Sequence, residues 1–317
     1  MILSLSAAAA IAAAGCSPSA ADQRWIEGAR TAWRSQLAAT PEITPPPKVT
    51  VILFDARCRL SSMDALARSG SVHWRSSLHR GSIVIGDGTR IKPGVTSFAG
   101  EGGGGQTFVM ALPTVWRAGR IPPGSTGIDA LTTAVLLHEA SHVAQGRLLG
   151  AVTTLSDAQG WGTDFNDDSI QDRFEKQPAF AAAVREETRL LFAAAASKDR
   201  GEARRLAEAA VASIRQRRAR WFNGKDQALG RAEDLFLTLE GSGQYLGYRW
   251  LTDPGGGGFS HQTAMSGWGQ RGRWWSQKQG LALVLAVERL GYPGWRRELW
   301  GRVDRPGVRL LEAALSR

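Results

Sequence analysis

The chain has 317 residues, 43% of them hydrophobic, and a formal net charge of +10, which is enough material for one large packed domain or two small ones. Its two cysteines exclude a cysteine-rich zinc site, so histidines and carboxylates are the expected ligands of any bound metal. The basic cluster over residues 215–220 contains no aromatic residue, and we interpret it as the solvated face of a helix. No specific nucleic-acid partner is expected, and contact with an anionic lipid surface is the alternative.

Residues 1–16 have the pattern of a signal peptide, with a short apolar run that ends in Ala13-Ala14-Gly15-Cys16. The run is too short to span a bilayer comfortably. Its last four residues resemble a bacterial lipobox, which implies a lipid on Cys16, membrane attachment and a location on the periplasmic side of the cell envelope. Cys58 would then be a lone thiol. An ordinary cleavage site and a plain alanine-rich helix are the alternatives.

The next segments, taken in chain order, change from a helix to strands. Residues 17–47 are expected to hold a helix over 21–37 and then a proline-rich linker. Residues 48–126 form a sheet-bearing N-terminal part. Strand patterns in this part cover residues 49–54, 71–85 and 106–113.

Residues 127–317 have mostly helical patterns and are predicted to form the metal-binding catalytic part. Beyond the metal motif described below, helices are expected over residues 178–197, 202–221, 228–250 and 276–290. The fold class expected from this order is α+β, with a small N-terminal sheet that leads into an α-rich C-terminal half.

His138, Glu139 and His142 form a His-Glu-x-x-His motif in an apolar, helix-favouring run that starts near Asp129. Residues i and i+4 lie on one face of a helix, so the two imidazoles can bind one divalent metal ion. Glu139 is next to the first ligand, where it can reach a water molecule as a general base. Gly150 is a plausible end of this helix. The alternative is a pair of buried, hydrogen-bonded core histidines.

A catalytic zinc site needs three protein ligands, and Glu240 is the best candidate for the third. It lies within an expected helix in apolar surroundings, where an unpaired carboxylate is costly. The small residues Gly241, Ser242 and Gly243 follow it and indicate close approach of the helix that carries the two histidines. A helix that ends near Gly241 with an exposed Glu240 is the alternative. Other candidates for the third ligand lie nearer along the chain and are Glu186, Glu187 and Asp164.

These motifs together resemble those of gluzincin-type zincin metallopeptidases, in which a Glu from a later helix joins the His-Glu-x-x-His helix. Residues 240–245 match the Glu-Gly-x-x-x-Tyr form of that later helix, and Gln145 matches a glutamine frequent three residues after the second histidine. The resemblance implies a zincin-like fold, bound Zn²⁺ and a peptide or protein substrate. In zinc peptidases a strand placed like 106–113 often forms the sheet edge above the site, although it can also be an ordinary strand.

The resemblance also implies a role for each motif residue. His138, His142 and Glu240 would hold Zn²⁺, and Glu139 would transfer a proton from water to the leaving amine. A further group must stabilise the oxyanion. The candidates are Tyr245, Tyr248 and His261. The alternative is that the two tyrosines are core aromatics and that His261 is a surface residue of a loop.

Gln145 lies on the same face as His142 and could orient a ligand or contact the substrate. The competing hypothesis for the whole chain is an envelope lipoprotein with a structural zinc site, or a substrate-binding pseudoenzyme. The presence of Glu139 argues against it, because a structural zinc site has no need of a general base.

Overall fold

The computed structural model describes residues 16–45, 48–102, 105–270, 273–301 and 304–317. The predicted signal peptide therefore lies outside the described residues, except for Cys16. The described residues form a mixed fold in which a small N-terminal sheet precedes a helical C-terminal half. The predicted α+β class is confirmed.

The sheet is built from strands in the N-terminal half. The strands are β1 (Thr50–Phe54), β2 (Cys58–Met63), β3 (Arg75–Leu78), β4 (Ile83–Val84), β5 (Arg90–Ile91), β6 (Ser97–Gly102) and β7 (Gly105–Ala111). Within the described residues one sheet has the order β3-β2-β1-β7-β6, and β4 pairs with β5 separately. β1 is parallel to β7, and the other neighbours in the large sheet are antiparallel. The apolar run of β1 is buried, as expected for a central strand covered on both faces.

The strand predicted as the sheet edge is an inner strand. Val109 of β7 is paired with Ile52 of β1 on one side and with Phe98 of β6 on the other. The edge strand on this side is therefore β6. Its last residues, 100–102, are Gly-Glu-Gly. Gly and Glu have low strand propensity, so the sequence pattern does not predict this strand.

Helices make up most of the rest of the described chain. They are α1 (Ala20–Ala39), α2 (Pro113–Ala118), α3 (Ile128–Val143), α4 (Gly146–Gln159), α5 (Ser169–Phe174), α6 (Pro178–Ala196), α7 (Arg200–Trp221), α8 (Leu229–Thr252), α9 (His261–Ala264), α10 (Trp275–Leu290), α11 (Trp295–Trp300) and α12 (Val308–Leu315). A 3₁₀ turn over Gly224–Asp226 precedes α8, and a π-helical turn over Met265–Gly269 follows α9. The helices predicted over 21–37, 178–197, 202–221, 228–250 and 276–290 correspond to α1, α6, α7, α8 and α10.

The helix that carries the His-Glu-x-x-His motif is shorter than predicted. α3 ends at Val143, and Gly150 lies inside the next helix, α4, instead of at a helix end. At the break the buried side chain of Gln145 donates hydrogen bonds to Ser242 and to the carbonyl of Leu299. Tertiary contacts thus end the helix where local propensity alone would continue it.

α8 is the central helix of the C-terminal half, and every residue from 232 to 248 is buried. It packs against both α3 and α10. A Cβ on Gly241 would lie 2.5 Å from the backbone of Gly280 in α10, and a Cβ on Gly243 would lie 2.6 Å from His138 in α3. The small residues after Glu240 therefore permit close approach of the predicted helix, α3, and of a second helix, α10.

The basic cluster is not simply a solvated face. Arg217 is buried and donates to Glu187 of α6 and to Glu233 of α8, each at 2.9 Å. Arg218 donates to Glu233 and to Asp234. Because a lone buried charge is strongly destabilising, these groups occur as a paired network. The network connects α6, α7 and α8.

The N-terminal helix α1 is hydrogen-bonded to the helical half, and the residue Cys16 before it is bonded to the sheet. Nε1 of Trp25 donates to Oγ1 of Thr133 in α3, at 3.1 Å. Cys16 forms a disulfide with Cys58, the first residue of β2. A sulfur in a disulfide carries no lipid, so the structure differs here from the predicted lipidation of Cys16 and from a lone Cys58 thiol. In the part of the chain that the structure describes, no helix has both the length and the hydrophobicity to cross a membrane.

Candidate metal centre

Three side chains from α3 and α8 meet where the two helices pack together. The Nε2 atoms of His138 and His142 are 3.0 Å apart. Glu240 places Oε2 at 3.2 Å from Nε2 of His138 and Oε1 at 3.4 Å from Nε2 of His142. The structure thus brings together the three side chains that were predicted from the sequence as metal ligands.

The spacing of these atoms fits a single tetrahedral ion. Ligand atoms bonded to one tetrahedral Zn²⁺ at ordinary bond lengths are about 3.3 Å from one another. The separations of 3.0, 3.2 and 3.4 Å lie around that value, with each imidazole nearest to a different oxygen of Glu240. Among the described histidines, cysteines and acidic residues, this is the group whose ligand atoms converge closely enough to hold a metal ion. Two imidazole nitrogens and a carboxylate also form a donor set that suits zinc.

A chain of hydrogen bonds selects the tautomer of His142. Oγ of Ser242 donates to the carbonyl of Leu239 at 2.8 Å and accepts from Nε2 of Gln145 at 2.6 Å. The same amide nitrogen donates to the carbonyl of Leu299, which leaves Oε1 of Gln145 to accept from Nδ1 of His142 at 3.0 Å. This assignment places the proton on Nδ1 and a lone pair on Nε2, as a metal ligand requires.

The ring of His138 is positioned by packing. It is 4% exposed and packs against Gly243 of α8, where a Cβ would collide with the ring. The ring of Trp268 contacts it edge-on, with the two centroids 6.1 Å apart. Its Nδ1 has no hydrogen-bond partner among the described residues. Packing therefore directs the other nitrogen, Nε2, at Glu240.

Glu240 is a buried carboxylate, 6% exposed, and the imidazoles of His138 and His142 lie beside it. Burial alone would raise its pKa, but His142 and His138, together with a hydrogen bond from Gln277, lower the pKa to about 2. Burial acts to lower the pKa of His138, but the charge and hydrogen bond of Glu240, together with the charges of Glu139 and Asp167, outweigh burial and raise that pKa. Metal binding here would require His138 to lose its proton, and the cation would then neutralise the charge of Glu240 in place of that proton.

The three side chains face a cavity of about 460 Å³. Glu139 lines it, and its Oε1 accepts a hydrogen bond at 3.1 Å from Oγ of Ser97 on the edge strand β6. The larger apolar side chains of the wall are Phe98, Leu149, Phe165, Phe236, Leu239 and Trp274. The arrangement therefore offers ligands, a general base and space for a substrate in one place.

Two acidic side chains of this cavity were not predicted from the sequence. Asp167 and Asp168 lie in the loop between α4 and α5 and line the cavity. Burial raises the pKa of Asp167 to about 7, with added effects from the negative charges of Glu240 and Asp168. Burial and Glu240 also raise the pKa of Asp168 to about 6. Consecutive acidic residues were the available signal, but such runs are usually solvated, and only the fold brings this loop to α8.

The alternative third ligands lie outside this cavity. Glu186 is exposed and forms an ion pair with Arg189 at 2.6 Å. Glu187 is buried, but its partner is Arg217. Asp164 is exposed in the loop before α5. None of the three belongs to the described wall of the cavity, so the geometry favours Glu240.

Tyr245 and His261, the predicted oxyanion donors, do not line this cavity within the described residues. Tyr245 follows Glu240 by five residues, a rotation of about 140° around the helix axis, and its hydroxyl donates to Glu288 at 2.6 Å. A hydrogen bond of 2.7 Å joins His261 to the hydroxyl of Tyr248 beside a separate cavity of about 560 Å³. The placement of all three side chains corrects the roles predicted for them.

Comparison with known proteins adds no family to this geometry. No protein-family model, curated protein or solved structure matches the chain. Function is therefore inferred from the arrangement of His138, His142, Glu240 and Glu139 in this fold.

Proposed function

We propose that this chain is a zinc-dependent hydrolase, and more specifically a gluzincin-type metallopeptidase that cleaves peptide bonds. The observation that carries the proposal is the convergence of His138, His142 and Glu240 within 3.4 Å, beside Glu139 on the wall of a cavity. A structural zinc site is closed by a fourth protein ligand. An adjacent carboxylate that faces a cavity favours catalysis over a purely structural role.

Each residue of the centre has a role in the proposed reaction. His138, His142 and Glu240 would hold Zn²⁺, which when bound supplies Lewis-acid chemistry that acidifies water and polarises a carbonyl. Glu139 accepts a proton from the attacking water and returns it to the leaving nitrogen. The hydrogen bond from Ser97 to Oε1 of Glu139 orients the carboxylate for this transfer.

The cavity wall also offers groups that can bind a peptide. Residues 97–99 of the edge strand β6 line the cavity, so an extended substrate can pair with this strand. The amide oxygen of Asn166 accepts from the backbone N–H of Asp168 at 3.0 Å. The amide nitrogen of Asn166 is thus a donor on the wall for a developing oxyanion.

A location on the periplasmic side of the cell envelope is part of the same proposal. The disulfide between Cys16 and Cys58 supports a compartment more oxidising than the cytosol. A lipid on Cys16 would need the sulfur that this disulfide uses, so lipid attachment and the disulfide are alternatives.

The Glu139→Gln variant tests the catalytic proposal. The variant should bind zinc like the wild type, because no ligand changes, and should lose roughly 10²–10⁴-fold in turnover of a fluorescence-quenched peptide library. Glu186→Gln is the matched control, since Glu186 is exposed and outside the cavity, and its turnover should be unchanged. A zinc-loaded wild type without hydrolysis of any peptide would instead support the structural or substrate-binding alternative.

A further inference from the structure

Acidic side chains line the cavity of the metal centre, although the chain as a whole is basic. The chain has a formal charge of +10. The described wall of the cavity nevertheless contains Glu139, Asp167, Asp168 and Glu240 and neither Lys nor Arg. A divalent cation held by the His-His-Glu group would neutralise only part of this charge.

We propose that Asp167 and Asp168 bind a positively charged nitrogen of the substrate, so that the enzyme selects cationic peptides. This inference rests on the proposed function, because it assigns a substrate class to the same cavity. The charged nitrogen belongs either to a Lys or Arg side chain or to a free amino terminus, and both present the same chemistry to a carboxylate.

The fold holds the two carboxylates at the cavity instead of leaving them in a mobile loop. Oγ of Ser276 in α10 donates to Oδ2 of Asp167 at 3.3 Å. The next helix, α5, is fixed to α10 as well, since the backbone N–H of Trp275 donates to Oε1 of Gln171 at 2.8 Å. The backbone N–H of Asp168 donates to Asn166. Charged groups held in this way are already organised for a ligand.

The positive charge near Asp168 does not offset the effects of burial and of the neighbouring negative charges. Oδ1 of Asp168 is buried and has no hydrogen-bond partner in the part of the chain that the structure describes. Arg273 acts to lower the pKa of Asp168, but burial and the charges of Glu240 and Asp172 outweigh it. A cationic nitrogen of the substrate beside these carboxylates would supply the missing positive charge.

Aromatic rings on the cavity wall add a second feature that favours cations. Phe165, Phe236 and Trp274 line the same cavity, and the centroids of Phe165 and Phe236 are 5.7 Å apart. The faces of aromatic rings attract ammonium and guanidinium groups. The CH₂ stem of a Lys or Arg side chain can pack on the same rings.

Peptide binding to Zn²⁺-incubated Glu139→Gln enzyme tests the proposal without turnover. The probes are dye-labelled, N-acetylated alanine peptide amides with a central Lys, norleucine or Glu, and an unacetylated alanine peptide amide, all measured by fluorescence anisotropy. The Lys peptide should bind about tenfold or more tightly than the norleucine peptide, and the Glu peptide should bind more weakly than both. Tight binding by the unacetylated alanine peptide instead would identify the amino terminus as the charged group.

Charge-neutralising variants locate the effect. Asp167→Asn combined with Asp168→Asn, in the same Glu139→Gln background, should reduce the preference for the charged peptide to less than about twofold. Asp164→Asn is the matched control, because Asp164 is exposed in the same loop and outside the cavity wall. It should keep the full preference. Zinc content and far-ultraviolet circular dichroism show that each variant is folded.

The outcomes separate this inference from the proposed function. Equal binding of the Lys, norleucine and unacetylated alanine peptides, no binding of any peptide, or a preference that survives the double Asp variant would overturn the inference. Wild-type hydrolysis of all peptides without charge preference would contradict the inference and leave the peptidase proposal intact. A preference in binding with no hydrolysis by the wild type would contradict the peptidase proposal and support the cation site.

Discussion

At the scale of single residues, Gln145 links the candidate metal centre to the rest of the fold. It is 1% exposed and forms hydrogen bonds with His142, Ser242 and the carbonyl of Leu299. Because its oxygen accepts from Nδ1 of His142, it selects the tautomer whose Nε2 faces Glu240. Its side chain thus supports metal binding without being a ligand.

Gln145→Ala should weaken zinc affinity about 10–100-fold, the usual effect of removing a group that orients a metal ligand. Competition with a chromophoric chelator measures the affinity directly. Gln159→Ala, at the exposed end of α4, should leave the affinity unchanged. Wild-type affinity in Gln145→Ala would show that packing alone orients His142.

The residues of the site differ in how far the sequence can predict them. His138, Glu139 and His142 are close in the chain, and the helical period alone predicts that the two imidazoles share a face. The proximity of Glu240 depends on how α8 packs, which the small residues after it indicated. Asp167 reaches the cavity through the path of a loop, and no local period predicts that. Tyr245 was expected to face the site, but the same helical period turns it away from Glu240.

At the scale of secondary-structure elements, the crossing of α8 and α10 positions Glu240. Gly241→Ala would place a Cβ 2.5 Å from the backbone of Gly280, and two helix backbones cannot move as a flexible side chain would. The free energy of unfolding should fall by about 1–3 kcal/mol, as for other overpacked cores. Urea denaturation followed by circular dichroism measures this change.

Gly150→Ala is the matched control for that variant. Gly150 also lies inside a helix, α4, and a Cβ there has no atom within 4 Å. This variant should stabilise the protein by about 0.5–1 kcal/mol, because alanine loses less conformational entropy than glycine in a helix. Equal effects of the two substitutions would contradict a tight contact between α8 and α10.

Long amphipathic helices were predictable from the sequence, and the details of their surroundings were not. α6, α7, α8 and α10 repeat apolar residues at helical spacing over several turns, which makes their existence clear. The end of α3 depends on the contacts of Gln145 with α8 and α11, which no local pattern shows. The position of β6 at the sheet edge depends on strand pairing, and its Gly-Glu-Gly end lacks the usual alternation.

At the scale of the whole molecule, the sheet and the helices share one hydrophobic core. A continuous cluster of buried side chains joins residues of β1 and β7 to residues of α1, α3, α8 and α10. The metal centre lies between the edge strand β6 and the central helix α8, so both halves of the chain contribute to its cavity. A change in the packing of either half should therefore affect the site.

The central claim is that His138, His142 and Glu240 form one zinc site, and metal content tests it most directly. Zinc should be stoichiometric by elemental analysis in the wild type and in Glu186→Gln, whose side chain is exposed. Glu240→Gln keeps the size of the side chain and should lose most of the zinc, because a neutral amide is a poor ligand. Stoichiometric zinc in a folded Glu240→Gln variant, or no zinc in the wild type after incubation with Zn²⁺, would contradict the three-ligand site.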